Sequence, residues 1–214
     1  SLLTICTNAL NEIGGFDVPG SFYGSANATA SQIVALCNRE GKTLEKEYRW
    51  AELVTEHTFV TVADTATYAM PSDFRAFGPM SQWDRTNSWR LTGPVPSLVW
   101  QWLKSGISVA SGMNKWFMVR GAYLTIYPTP TVADETIAFD YYSSSWVTKQ
   151  VDSSNVAAWT ADNDTSRINE DLLTMGVKWR FLQAKGMPFE PEYKEYSAIK
   201  EALVEDNGGR GAIN

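Results

Sequence analysis

The chain has 214 residues, 44% of them hydrophobic, enough for one sizeable core or one core with an inserted subdomain. Its 18 Lys and Arg against 24 Asp and Glu leave a net charge of −6 and a pI near 4.9. That balance argues against a nucleic-acid-binding surface and against binding to an anionic membrane.

No apolar run reaches the roughly 20 residues that span a bilayer. The start, Ser1-Leu2-Leu3-Thr4, lacks the basic opening and apolar run of a signal peptide. It reads as a cytosolic chain whose initiator Met was removed.

Residues 2–13 read as a helix with Leu3, Cys6, Leu10 and Ile13 on one face, ended by Gly14-Gly15. Asn27 can cap a longer helix from Ala28 to about Arg49. Its inward face is Ile33, Leu36, Cys37, Leu44 and Tyr48. Gly41 sits among these positions at a cost of about 1 kcal/mol against Ala; close helix packing or a bend accounts for it. Cys6 and Cys37 lie on apolar faces and are expected buried and reduced.

From Leu53 to about Ala161 the helical period is lost. Thr58 to Val62 and Thr67 to Met70 read as strands, the second stopped by Pro71. Met80 to Trp83 and Trp89 to Leu91 flank a polar turn. Leu98 to Lys104 is a short helix introduced by Pro96. Trp116 to Val119 and Tyr123 to Tyr127 form a hairpin turning at Arg120-Gly121-Ala122. Ile137, Phe139 and Tyr141 predict a one-sided strand.

The chain is organised around Ile168 to Asp206. Ile168, Leu172, Met175, Trp179 and Leu182 draw one apolar stripe, widened by Leu173, Val177 and Phe181. Asn169 caps this helix, Glu170 and Asp171 suit its dipole, and Gly186 with Pro188 ends it. A second helix begins near Pro191 and carries Phe189, Tyr193, Tyr196, Ile199 and Leu203 inward. The short connection makes the two antiparallel.

The expected fold is therefore α+β. An antiparallel helical core of two N-terminal and two C-terminal helices, residues 1–52 with 162–206, carries a β-rich insertion over 53–161. Residues 207–214 form a flexible tail. Leu172, Trp179, Leu182 and Tyr196 are the expected core anchors.

The chemistry-bearing residues are sparse. His57 is the single histidine, and a solvent-facing strand position accounts for it. No His or Cys pair stands at metal-ligand spacing, so no metal or cofactor is expected. No nucleophile context accompanies His57, so no catalytic residue is assigned. Carboxylate pairs carry no signal in a chain with 24 acidic residues. Trp83, Trp89, Trp100, Trp102, Trp116 and Trp146 crowd the β region, as core, interface or sugar-stacking rings.

The run Leu172-Leu173-Thr174-Met175-Gly176-Val177-Lys178-Trp179-Arg180-Phe181-Leu182-Gln183-Ala184-Lys185-Gly186 resembles the C-terminal helix of head-to-tail adaptors of tailed bacteriophages. The likeness extends through Ile33 to Gly41, Tyr68 to Phe74, Trp83 to Asn87, Leu91 to Pro94, Gly121 to Pro128 and Phe139 to Tyr141. The order of these segments is its specific part.

The resemblance implies a structural virion protein of the neck, made in the host cytoplasm. It implies a dodecameric ring of this chain under the portal protein, with a downstream tail or nozzle protein below. DNA would pass through the lumen without specific binding. The resemblance also implies a portal-binding C-terminal segment, here Arg210, Ile213 and Asn214. The alternative is a carbohydrate- or receptor-binding virion protein, in which the exposed rings stack on sugars.

Overall fold

The computed structural model describes residues 1–106 and 115–207. Helices α1 (Leu2–Ile13) and α2 (Ala28–Glu47) open the chain, followed by a 3-10 turn over Ala51–Leu53. Strands β1 (Val54–Val60), β2 (Thr67–Ala69), β3 (Phe74–Phe77), β4 (Trp83–Asp84) and β5 (Trp89–Arg90) come next. Helix α3 (Ser97–Lys104) precedes β6 (Trp116–Arg120), β7 (Tyr123–Tyr127) and β8 (Thr136–Ser143). Short strands β9 (Val147–Thr148), β10 (Asn155–Val156) and β11 (Thr165–Ser166) lead to α4 (Glu170–Ala184) and α5 (Glu190–Asp206). The fold is α+β, and each pairing between these strands is antiparallel.

The chain divides into two units, Ser1–Leu53 with Ser144–Asn214, and Val54–Ser143. Residues 144–161 fall in the first unit rather than in the insertion. Their rings explain why: Trp146 and Trp159 meet edge to face at 5.3 Å and both join the helical core. Three strands of two residues each, in the order β10-β9-β11, close this stretch. Strands that short leave no readable period.

In the first unit the caps are local and strong. Asn27 Oδ1 accepts from the backbone N–H groups of Thr29 and Ala30, and Asn169 Oδ1 accepts from Leu172. The buried face of α1 is Leu2, Ile5, Cys6, Ala9 and Leu10. It is rotated from the expected face, and Leu3 stands exposed. Helix α4 is buried around most of its girth, from Leu172 and Leu173 through Val177 and Phe181 to Leu182. It packs against α1, α2 and α5, so it sits at the centre of this unit. Cys6 and Cys37 are free and buried between α1 and α2. A hydrogen bond to Cys37 and burial together push the Cys6 thiol far up, so it stays protonated and inert.

The second unit is built on β8. Its neighbours are β1 on one side and β3 and β4 on the other. The register with β1 runs without a break from Val54 opposite Tyr142 to Val60 opposite Thr136. Ile137, Phe139 and Tyr141 are buried, but so are Ala138, Tyr142 and Ser143. The strand is thus not one-sided: Ile137, Phe139 and Tyr141 join the core of this unit on one face, and Ala138 and Tyr142 are buried on the other. His57 is not solvent-facing either. It is half-buried with its ring 5.2 Å from that of Phe139, and burial lowers its pKa. Strand β3, which no period announces, joins β8 through a bulge between Phe74 and Ala76. The β6–β7 hairpin turns at Gly121, whose φ of +57° suits glycine.

Candidate functional site

Helix–helix contact in the first unit converges on Glu40. Its side chain is fully buried, accepts a hydrogen bond from the Tyr196 hydroxyl and forms an ion pair with Arg180 Nε. One carboxylate therefore joins α2, α4 and α5. Two glycines make the room. A Cβ at Gly176 would lie 2.6 Å from the Glu40 carboxyl carbon, and one at Gly41 would collide with the ring of Trp146. Arg180 also stacks over Trp179, 4.4 Å from its centroid. Burial first, then the Glu40 charge, push the Tyr196 hydroxyl far up, so it remains a donor.

A second buried polar group lies in the β-rich unit. Lys115 Nζ stands 2.6 Å from Asp84 Oδ2 and 2.6 Å from Glu135 Oε2. Asn87 Nδ2 donates to both carboxylates, at 2.9 and 2.8 Å. Two carboxylates this close invite a general acid–base reading, but the electrostatics oppose it. Burial alone would raise the Asp84 pKa; hydrogen bonds from Lys115 and Asn87 more than offset it and hold the carboxyl below its ordinary range. A general acid needs the opposite shift. Lys115 is raised, because its two carboxylates outweigh the lowering by burial. The group is a closed structural network.

The outward faces differ in sign. On α2, Arg39, Lys42 and Lys46 are exposed and recur at i, i+3 and i+7. Glu47 flanks them but is engaged by Lys200 at 3.2 Å. On α5, Glu195, Glu201, Glu205 and Asp206 are exposed, with Lys194 the one exposed cation. In the β-rich unit, Trp83 and Trp102 are 42% and 52% exposed, whereas Trp100 is buried. Trp146 belongs to the helical core, so the six rings do not form one surface.

Leu172, Trp179, Leu182 and Tyr196 are all buried. The Trp179 ring meets Tyr193 edge to face at 5.0 Å and lies 6.2 Å from Phe189. Arg210, Ile213 and Asn214 lie outside the described residues. Glu40, Asp84 and Lys115 were missed by sequence reasoning. The signal for Glu40 was the pair of glycines, Gly41 and Gly176, inside two helices.

Among the described residues, no group of three His, Cys, Asp or Glu could hold a metal ion, and no helix is long and apolar enough to cross a membrane. No curated protein matches the chain. The family model described as SU10 adaptor protein matches residues 2–211. A match over nearly the whole chain agrees with the bacteriophage head-to-tail adaptor resemblance of its segments. The chain belongs to the SU10 adaptor protein family.

Proposed function

We propose that copies of this chain assemble into a ring, a dodecamer, beneath the portal protein in the virion neck. The ring extends the DNA channel and gives a downstream tail or nozzle protein its platform. The observation that carries this reading is the adaptor family match over residues 2–211. The net charge of −6 supports it, since DNA slides past an acidic wall without sticking. The role is structural, not enzymatic; the closed network at Asp84 supports that part. The protein is made in the host cytoplasm and acts in the particle.

The free subunit is a monomer or weak oligomer and closes into a ring on the portal. Its C-terminal segment, with Arg210 to fork onto a carboxylate and Ile213 beside the terminal Asn214, docks onto portal subunits. The test is native mass, for the protein alone and after mixing with cognate portal particles. Twelve copies per portal is the expected result. A stable ring at micromolar concentration without portal would count against portal-driven closure. Deletion after Asp206 should preserve the melting temperature and abolish portal binding; a truncated chain that binds equally well returns docking to the helical unit.

The half-exposed rings of Trp83 and Trp102 favour carbohydrate binding as the second reading. Specific retention on a glycan array, lost in Trp102→Ala, would select it.

A further inference from the structure

We propose that the cationic face of α2 docks onto the anionic face of α5 of the neighbouring copy. This inference rests on the ring reading above and names the contact that builds the ring. Arg39, Lys42 and Lys46 are exposed along one side of α2. They span about 10 Å at 1.5 Å per residue. Among the described residues no carboxylate forms an ion pair with Arg39 or Lys42. Glu195, Glu201, Glu205 and Asp206 are exposed on α5 and likewise have no ion pair there. Glu195 borders α4, so the outward acidic stretch is Glu201 to Asp206, about 8 Å by the same rise and close in length to the basic one.

Among the described residues of one copy, no ion pair joins Arg39 or Lys42 to the acidic residues of α5. Helix α2 turns Glu40 and Gly41 inward, and Glu40 touches Gly176 and Arg180 of α4. Helix α5 turns Tyr196 inward onto the same carboxylate. The cations lie on the side of α2 opposite Glu40, and Glu201 and Glu205 lie on the side of α5 opposite Tyr196. A contact between different faces of identical copies is head-to-tail, and such contacts close into rings when the rotation permits. Complementary charge across it fixes register and repels a wrong face. Three cations in a chain of net charge −6 make a small footprint for duplex DNA. They match one acidic helix of a second copy better.

The experiment uses the full chain and cognate portal particles, with ring occupancy read by native mass. Arg39→Glu with Lys42→Glu reverses one face; Glu201→Lys with Glu205→Lys reverses the other. All four sites are exposed, so each variant should keep the wild-type melting temperature. Each reversed pair should weaken assembly at least about tenfold, because like charges then face each other. Combining all four changes in one chain should restore wild-type occupancy. Mixing the two reversed variants should also restore it, as rings of alternating copies.

Reversed variants that assemble like wild type overturn the proposal and leave the ring reading standing. Failure of both the fourfold variant and the mixture to assemble overturns it too. Wild-type protein that never collects in multiple copies on the portal overturns the ring reading and this contact together. Duplex DNA binding that is lost on reversing α2, with occupancy unchanged, assigns the cationic face to DNA instead.

Discussion

In the helical unit Glu40 faces one cation and one phenol; in the β-rich unit Asp84 and Glu135 share one lysine. The first network gathers residues 140 and 156 positions apart in the chain. The second draws its hydrogen bonds across at most 48 positions. Glu40 therefore acts as a register pin between helices whose apolar faces alone would let them slide or rotate. Lys115 instead cancels charge inside a unit whose strands already fix register through backbone pairing. Buried charge is costly unless it is paired, so each network is sensitive to loss of one member. The consequences of that loss should stay within the unit concerned.

The largest effect should come from Glu40→Ala. It leaves the Arg180 guanidinium, 11% exposed, without its carboxylate. The expected loss is about 3–5 kcal/mol, read by urea unfolding of the helical signal. Hydrogen exchange in β1 and β8 should be little changed. Equal loss of protection in both units would break the comparison, since the network would then serve the whole chain. Trp179→Ala comes next, at about 3–5 kcal/mol, towards the lower end because the ring retains 8% exposure. A change under about 1 kcal/mol would place that ring in an interface between copies.

Lys115→Met should cost about 3 kcal/mol, since two carboxylates lose their shared cation while Asn87 still donates one hydrogen bond to each. Its effect should appear in the exchange of β4 and β8 amides and leave α4 untouched. The smallest effect is on acid stability. Asp84 is depressed below 3.8, so its contribution is present above that value and is lost as pH falls through the folded pKa. In the helical unit Asp164 is also depressed. Burial would raise it, but donors from Thr160, Gln150 and Ala161 prevail. In Lys115→Met the Asp84 carboxyl loses the cation that holds it down, so the acid loss of the β-rich unit should become smaller while that of the helical unit is unchanged. A change in both, followed by exchange against pH, would tie the two networks together.

Much of the helical unit was legible because its signals are local. Asn27 and Asn169 cap where their side chains predict, and Gly186 takes a φ of +69° past the end of α4. The β6–β7 hairpin was legible for the same reason. Strand β3 was not, because Phe74 to Phe77 are all half-buried and carry no alternation. On α1 the buried face keeps Cys6 and Leu10 but takes in Leu2 and Ile5, and Leu3 is left exposed. Charged side chains at Glu40 and Asp84 look like surface residues in sequence, and only tertiary pairing reverses that. Glycine in a helix interior was the readable trace of Glu40. The α2 and α5 charge patterns were also present in the sequence, but they gain meaning only once Glu40 and Tyr196 show which sides of the two helices face inward.

The unbroken β1–β8 register has a consequence for how the chain reaches its native state. Val54 and Tyr142 pair at the two ends of the inserted unit. During synthesis α1 and α2 emerge long before α4, the helix they must cover. Once β1 meets β8, the intervening segment no longer counts as an open loop. The entropy of bringing the early helices to the late ones then falls to that of a short connection. Zipping of the insertion should accordingly precede docking of the helices. In pulsed exchange during refolding, β1 and β8 amides should gain protection before those of α1. The reverse order would mean that the helices find α4 across an open loop of the inserted chain.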